Sequence, residues 1–362
     1  MKIGILGAGA IAGGAAAYLA QNGHEPTLWS PSGRRLGRLG EGTPLTAKGG
    51  VQGTFAVSVA ANAEEAVSGK DAVLVALPAY GHRMVLDAVA PYLSNGQPVI
   101  FSSHASFGAL YLSRLLAARG VSVPMIVWGT TLTTGRMAGD ETVNVSTLRK
   151  KIDYATLGAW DGDSAIRLLT ELFGDRFVPR DGLMAIALSN LNPQNHLGIA
   201  LLNLTRMEKG ETWGQAEHVT PAVGRFIEAL DAERLAIAES FGLSVRTVRQ
   251  HFSLSFHVPE NDVSTMNQEM FRNGHVTSGP STMDSRYIYE DVPFGLYPTA
   301  LLGRVVGRPA TLHEAGIAIF SAAAGRDLTA DNDLLPALDF ATLDRDRLEA
   351  LATARPCPPD EA

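Results

Sequence analysis

Two polar stretches in the second half of the chain carry residue types suited to proton transfer. The first, Ser189-Asn190-Leu191-Asn192-Pro193-Gln194-Asn195-His196-Leu197-Gly198, fronts an apolar helical pattern. Asn192 falls about one helical turn before His196 and is a candidate substrate contact. A histidine at the polar front of an apolar helix is where a general acid/base would be placed. The second stretch is Arg286-Tyr287-Ile288-Tyr289-Glu290-Asp291-Val292-Pro293-Phe294-Gly295-Leu296. Asp291 could orient the His196 imidazole, fix its tautomer and stabilise its protonated form. The same carboxylate, just ahead of Val292-Pro293, also has the chemistry of a helix N-cap. Arg286 is a candidate for holding a substrate carboxylate, because guanidinium binds carboxylate bidentately; Arg136 and Arg206 are alternatives. Trp213 either shapes an amine pocket or packs. His24, His82 and His313 fall at element edges and are expected to be neutral surface residues.

A third cluster has the chemistry of a phosphate cradle. Gly7-Ala8-Gly9-Ala10-Ile11-Ala12 is a G-x-G-x-x-A run directly between the strand-like KIGIL and a helical stretch of small residues. Gly7 permits the tight turn, and Gly9 lets backbone approach a pyrophosphate. Ala12 allows close helix–sheet packing, and the helix N-terminus offers unpaired N–H groups. An acid that would bind a ribose 2′-OH is expected at the end of the second strand for NAD(H). Here that strand ends Leu28-Trp29-Ser30, followed by Pro31-Ser32-Gly33-Arg34-Arg35, with no carboxylate until Glu41. Ser30, Ser32, Arg34 and Arg35 suit a 2′-phosphate, so NADP(H) is expected ahead of NAD(H). Pro78 and Ser102-Ser103, at strand ends, are expected to line the same pocket.

These residues need a scaffold, and its pattern is legible. Short apolar runs at residues 2–8, 27–30, 54–60, 71–78, 98–103 and 124–129 alternate with helical segments, including Gly81–Tyr92 and Phe107–Arg119. Unbroken apolar strands suit a sheet covered on both faces, and βα alternation suits an open doubly wound one. ETVNVSTL and KKIDYATL read as a pair of shorter strands, followed by a helix and the strand-like RFVPR. From about Asp181 the pattern is helical. One helix is expected from Pro193 to Glu208, a long one starts at Thr220-Pro221 and ends at Gly242, and Ser244 is a candidate cap for the next. The expected fold is α/β: a dinucleotide-binding sheet domain over 1–181 and an all-helical domain over 182–362.

Composition removes whole classes of function. At ~150 residues per domain, 362 residues make about two domains. Hydrophobic residues at 46% and charged residues at 19% supply a large core and exclude wholesale disorder. A net charge of −7 argues against a nucleic-acid partner. The single cysteine, Cys357, leaves neither an intrachain disulfide nor a cysteine-rich metal site, and no metal is expected. No apolar run is long enough to span a membrane, and the first residues read as a strand instead of a signal peptide, so a cytoplasmic protein is expected. The tail CPPDEA is expected to be loose.

Taken together, the glycine fingerprint at Gly7–Ala12, the Leu77-Pro78-Ala79 run followed by His82, the Asn192-Pro-x-x-His196 segment and the run Arg286 to Leu296 resemble the octopine/nopaline (opine) dehydrogenase superfamily. Asp231-Ala-Glu-Arg-Leu-Ala-Ile-Ala resembles its long helix. The resemblance covers residues 1 to about 325. It implies an N-terminal Rossmann domain, a C-terminal all-helical domain and a His–Asp pair at His196 and Asp291. It also implies NAD(P)H-dependent joining of an amino acid or amine to a 2-oxo acid through an imine. Those small molecules are the expected partners, with a homodimer as the assembly to test. Two other readings stand beside it. A ketopantoate-type reductase would use a helix lysine at the domain junction, and no lysine lies between Lys151 and Lys209. A non-catalytic NADP(H) sensor would require neither His196 nor Asp291.

Overall fold

The computed structural model describes residues 1–158, 160 and 163–353. Cys357 and the tail lie outside the described residues. The chain divides into two compact units, residues 1–187 with 346–353, and residues 188–345. The division thus lies at Ala187/Leu188, and residues 346–353 group with the first unit.

In the first unit an eight-stranded sheet runs β12-β11-β8-β7-β6-β1-β2-β5. Its strands are β1 (Lys2–Leu6), β2 (Glu25–Trp29), β5 (Ser58–Val59), β6 (Ala72–Val75), β7 (Val99–Phe101), β8 (Met125–Trp128), β11 (Ile152–Leu157) and β12 (Phe177–Pro179). Neighbours are parallel except β11 and β8, which pair antiparallel. The apolar runs of β1, β6, β7 and β8 are buried along nearly their whole length, as strands covered on both faces should be.

A second, four-stranded sheet, in the order β4-β3-β10-β9, was not evident from the apolar pattern. It comprises β3 (Leu45–Gly49), β4 (Gly53–Phe55), β9 (Thr133–Met137) and β10 (Thr142–Leu148). It packs on the helix Ala10–Gln21. There Gly14 has no room for a Cβ, which would lie 2.5 Å from the Thr133 hydroxyl, and Gly13 faces Met137 and Val143. This accounts for the small-residue composition of that helix: it is covered on two sides. Two expectations are corrected here. The run 54–60 is split, with β4 in one sheet and β5 in the other. β10 and β11 do not pair with each other; β10 pairs with β3 and β9, and β11 with β8 and β12.

The second unit is built of helices among its described residues. Asn192–Leu201 and Leu204–Glu208 are separate helices, in place of one continuous helix. The long helix spans Pro221–Ser240 and stops at Gly242, whose φ of +71° suits glycine. The next helix, Val248–Phe256, is capped by Thr247 in a reciprocal capping box with Gln250, not by Ser244. No described helix is long and apolar enough to cross a membrane.

Candidate active site

In the first unit, β1 delivers the chain into the glycine turn. Gly7 has φ +144°, and a Cβ on it would sit 2.2 Å from the Ala76 carbonyl oxygen, so only glycine fits. Gly9 is the opposite case. It caps the helix Ala10–Gln21 with extended backbone and no side-chain cap, and nothing lies within 4 Å of where its Cβ would be. The first turn carries no acidic residue. The N-terminal N–H groups of this helix therefore have neither a side-chain cap nor a first-turn carboxylate beside them, which suits a pyrophosphate. Ala8, Ala10 and Ile11 are half-buried around it, and Ala12 is buried and meets Gly7.

At the carboxyl end of β2 the Ser30 hydroxyl is buried without a hydrogen-bond partner, an orphan polar atom awaiting one. Ser32, Arg34 and Arg35 follow in an exposed turn, in which the Gly33 N–H bonds the Ser30 carbonyl at 3.1 Å. Pro78 is exposed and starts a short 3₁₀ turn after β6. Ser102 follows β7 with a buried, unpartnered hydroxyl, and Ser103 adopts φ +79°, a conformation that non-glycine residues rarely take. These features fit a nicotinamide dinucleotide.

In the second unit, Pro193 sits in the first turn of the helix Asn192–Leu201, where its missing N–H costs nothing. His196 follows one turn later. Its Nδ1 lies 2.7 Å from Asp291 Oδ2, and both side chains are mostly buried. A carboxylate only accepts, so Nδ1–H donates and Nε2 is the nitrogen left for a reacting group. Asp291 immediately precedes a π-helical turn, Val292–Leu296, yet makes no side-chain cap bond; its carboxylate faces the imidazole instead. Such turns concentrate at functional sites. The Asn332 amide fixes this one by donating to the Pro293 carbonyl at 2.8 Å.

Tyr287 was not singled out from the sequence. Its ring stacks on the His196 imidazole, with centroids 3.6 Å apart and planes 8° from parallel. Its hydroxyl donates to Gln215 Oε1 at 2.7 Å. Burial, and then the charge of Asp291, push its phenol up to about 12, so it stays neutral at working pH. The signal available was the i, i+4 spacing from Tyr287 to Asp291. Asn192 is exposed at the start of the histidine helix. Arg286 is exposed and ion-paired with Glu290, and Arg206 is paired with Glu211 at 3.0 Å. Trp213 is buried, with its indole N–H on the Pro280 carbonyl and Gly279 pressed against its ring. His82 and His313 are fully buried, against the expectation of surface residues. No cluster of potential metal ligands occurs among the described residues.

Comparison with known proteins divides along the same line as the fold. A family model described as "NAD/NADP octopine/nopaline dehydrogenase, alpha-helical domain" matches residues 179–324. One described as "Ketopantoate reductase PanE/ApbA" matches residues 3–146. An opine dehydrogenase from Arthrobacter sp. (strain 1C) is 29% identical over 335 residues, 91% of this chain and 92% of that protein. Octopine dehydrogenase solved with NADH and L-arginine superposes with a TM-score of 0.82 at 17% identity, covering 98% of both chains. Yersinopine dehydrogenase with NADP+ bound gives a TM-score of 0.68 at 15% identity, covering 94% of this chain and 97% of that one. The chain is thus similar to opine dehydrogenases in sequence and in fold along nearly its whole length, and residues 179–324 match the octopine/nopaline dehydrogenase helical domain.

Proposed function

We propose that this protein joins the amine of an amino acid, or a simple amine, to a 2-oxo acid and reduces the resulting imine, with NADPH preferred over NADH. The observation that carries the reading is the 2.7 Å bond between His196 Nδ1 and Asp291 Oδ2. Condensation expels water from a carbinolamine, which needs a proton delivered to the departing oxygen. His196 Nε2 supplies that proton while Asp291 keeps the ring in one tautomer and stabilises imidazolium. The stacked Tyr287 face adds a favourable quadrupole for the charged ring. The dinucleotide supplies hydride to the imine carbon; the chain's part there is to hold its phosphates on Gly7–Ala12. Preference for the 2′-phosphate rests on Ser30, Ser32, Arg34 and Arg35 and on the orphan Ser30 hydroxyl. Asn192 and Arg286 are the proposed substrate contacts.

The test is a screen of NADPH consumption, with amines crossed against pyruvate, glyoxylate and 2-oxoglutarate. Oxidation that requires both partners supports the reading. Equal oxidation with the oxo acid alone would identify a 2-oxo acid reductase, the activity to which the ketopantoate reductase match over residues 3–146 lends support. Binding without turnover would leave a sensor.

A further inference from the structure

Two residues before His196, on the same helix, Gln194 is buried with its amide nitrogen 3.3 Å from His313 Nε2. His313 is itself fully buried, and its Nδ1 lies 2.8 Å from Glu233 Oε2. Glu233 comes from the long helix Pro221–Ser240 and also accepts the backbone N–H groups of Leu312, at 2.8 Å, and His313, at 3.2 Å. Burial alone would raise this carboxyl. The His313 ring and the two backbone donors outweigh burial and hold it below the usual range, so it is ionised. The tautomer follows. Nδ1–H donates to the carboxylate, and the Nε2 lone pair accepts from the Gln194 amide. Gln194 Oε1 has no partner, so His313 is what orients this amide.

The same helix, Thr311–Ala324, makes a second contact one residue beyond His196. Gly316 has no room for a Cβ, which would lie 2.6 Å from a Leu197 methyl group. Gln194 and Leu197 are three apart and share a helix face; His196 points elsewhere. Holding both fixes the rotation and height of the turn that presents the imidazole. Stability does not require this chain of polar groups. A buried imidazole or amide is costly unless bonded, and an apolar pair of similar volume would pack without that cost.

We infer that His313, fixed by Glu233 and bonded to Gln194, is a positioning residue that sets the placement of the His196 ring against Asp291. The inference rests on His196 being the acid/base, and the experiment separates the two. His313→Leu, Gln194→Met and the double variant are compared in the full-length protein. The readouts are 15N-histidine NMR of the His196 ring, NADPH affinity by fluorescence, and steady-state kinetics. Misplacing a reacting group by about an ångström costs up to ~10²-fold, so each single variant should lower kcat by roughly 10- to 100-fold with NADPH affinity unchanged. The His196 ring resonances should move in both. The double variant should be no slower than the worse single one, because the groups act through one bond. Removing His313 leaves Glu233 with backbone donors only; if that variant does not fold, Gln194→Met, which spares the Glu233–His313 pair, decides. Folded variants with unmoved His196 resonances and kcat within about twofold of the parent would overturn the inference. So would a double variant that regains both stability and full kcat. If His196→Ala turned over normally, the acid/base reading would fall while the NMR result still reported the coupling.

Discussion

Gly295 can only be glycine because Pro193 fills the space beside it: a Cβ there would lie 2.3 Å from the proline Cγ and 2.8 Å from its Cβ. Pro193 belongs to the first turn of the His196 helix, and Gly295 to the π-helical turn that follows Asp291. The contact is how two segments about 95 residues apart bring an imidazole and a carboxylate within 2.7 Å. A pyrrolidine ring cannot swing aside as a flexible side chain would. Gly295→Ala is therefore expected to cost about 1–3 kcal/mol in stability and to lower kcat by shifting Asp291. Adding Pro193→Ala should recover part of both. Thermal melts and kinetics on the three variants decide; a Gly295→Ala protein as stable and active as the parent would show that the contact does not set the pair.

Cofactor choice has its own test. Arg34 and Arg35 lie exposed beyond β2, away from the core, so both can be removed without disturbing the fold. Hydrogen bonds to a charged group contribute about 1.5–3 kcal/mol, so Arg34→Ala with Arg35→Ala should weaken NADPH binding by roughly 10- to 100-fold. NADH binding should change little. Equal loss of both cofactors in a fluorescence titration would mean that the arginines hold something other than the 2′-phosphate.

How far this could be read from the sequence depended on whether a signal was local. The glycine turn, the β1–helix–β2 unit and the helical character of residues 188–345 follow from periodicity and from cap and turn chemistry. His196 and Asp291 stood out because polar residues break apolar runs. The second sheet did not, because β9 is half-polar and β3 and β4 are short, and the β10–β3 pairing joins residues about 96 apart in sequence. Its trace was the run of glycine and alanine in the helix Ala10–Gln21, which makes sense only once a sheet lies on it. The Glu233–His313–Gln194 chain was equally hidden. A lone histidine in an amphipathic helix reads as surface until its partner 80 positions away is known.

Three titrations should shape stability against pH. Burial lowers His82 to about 4, opposed by its bond to the Leu77 carbonyl; burial and then the charge of His82 lower His104 to about 3. Unfolded, both titrate near 6.5, so the unfolded chain binds more protons below that value. Their contribution is complete above about pH 6.5 and is lost as pH falls toward 4 and 3, on the order of a few kcal/mol in all. On the alkaline side, Tyr287 ionises near 10 when unfolded and only at about 12 when folded. Its contribution is complete below 10 and fades as pH rises through 12. Denaturant melts across pH should show both arms. Replacing His82 and His104 by leucine should flatten the acid arm, and Tyr287→Phe the alkaline one; unchanged slopes would refute the assignment.

The His196–Asp291 pair carries the sharpest prediction, because its members should fail together. His196→Ala removes the proposed proton donor, and general acid–base help of this kind contributes ~10²–10⁴-fold, so kcat should fall by about that factor. NADPH affinity should persist, since the proposed phosphate cradle at Gly7–Ala12 belongs to the other compact unit. Asp291→Asn keeps the shape but can present an N–H where an acceptor is needed, leaving the imidazole in the other tautomer. It too should be slow, with the fold intact, because the Asp291 side chain caps no helix that its loss could fray. The double variant should be no worse than His196→Ala alone, since a ring-orienting carboxylate has nothing to orient once the ring is gone. Additive losses would mean that Asp291 acts on the substrate directly. A loss of melting temperature in Asp291→Asn without a loss of kcat would make the 2.7 Å bond a structural one, and the proton donor would have to be sought elsewhere.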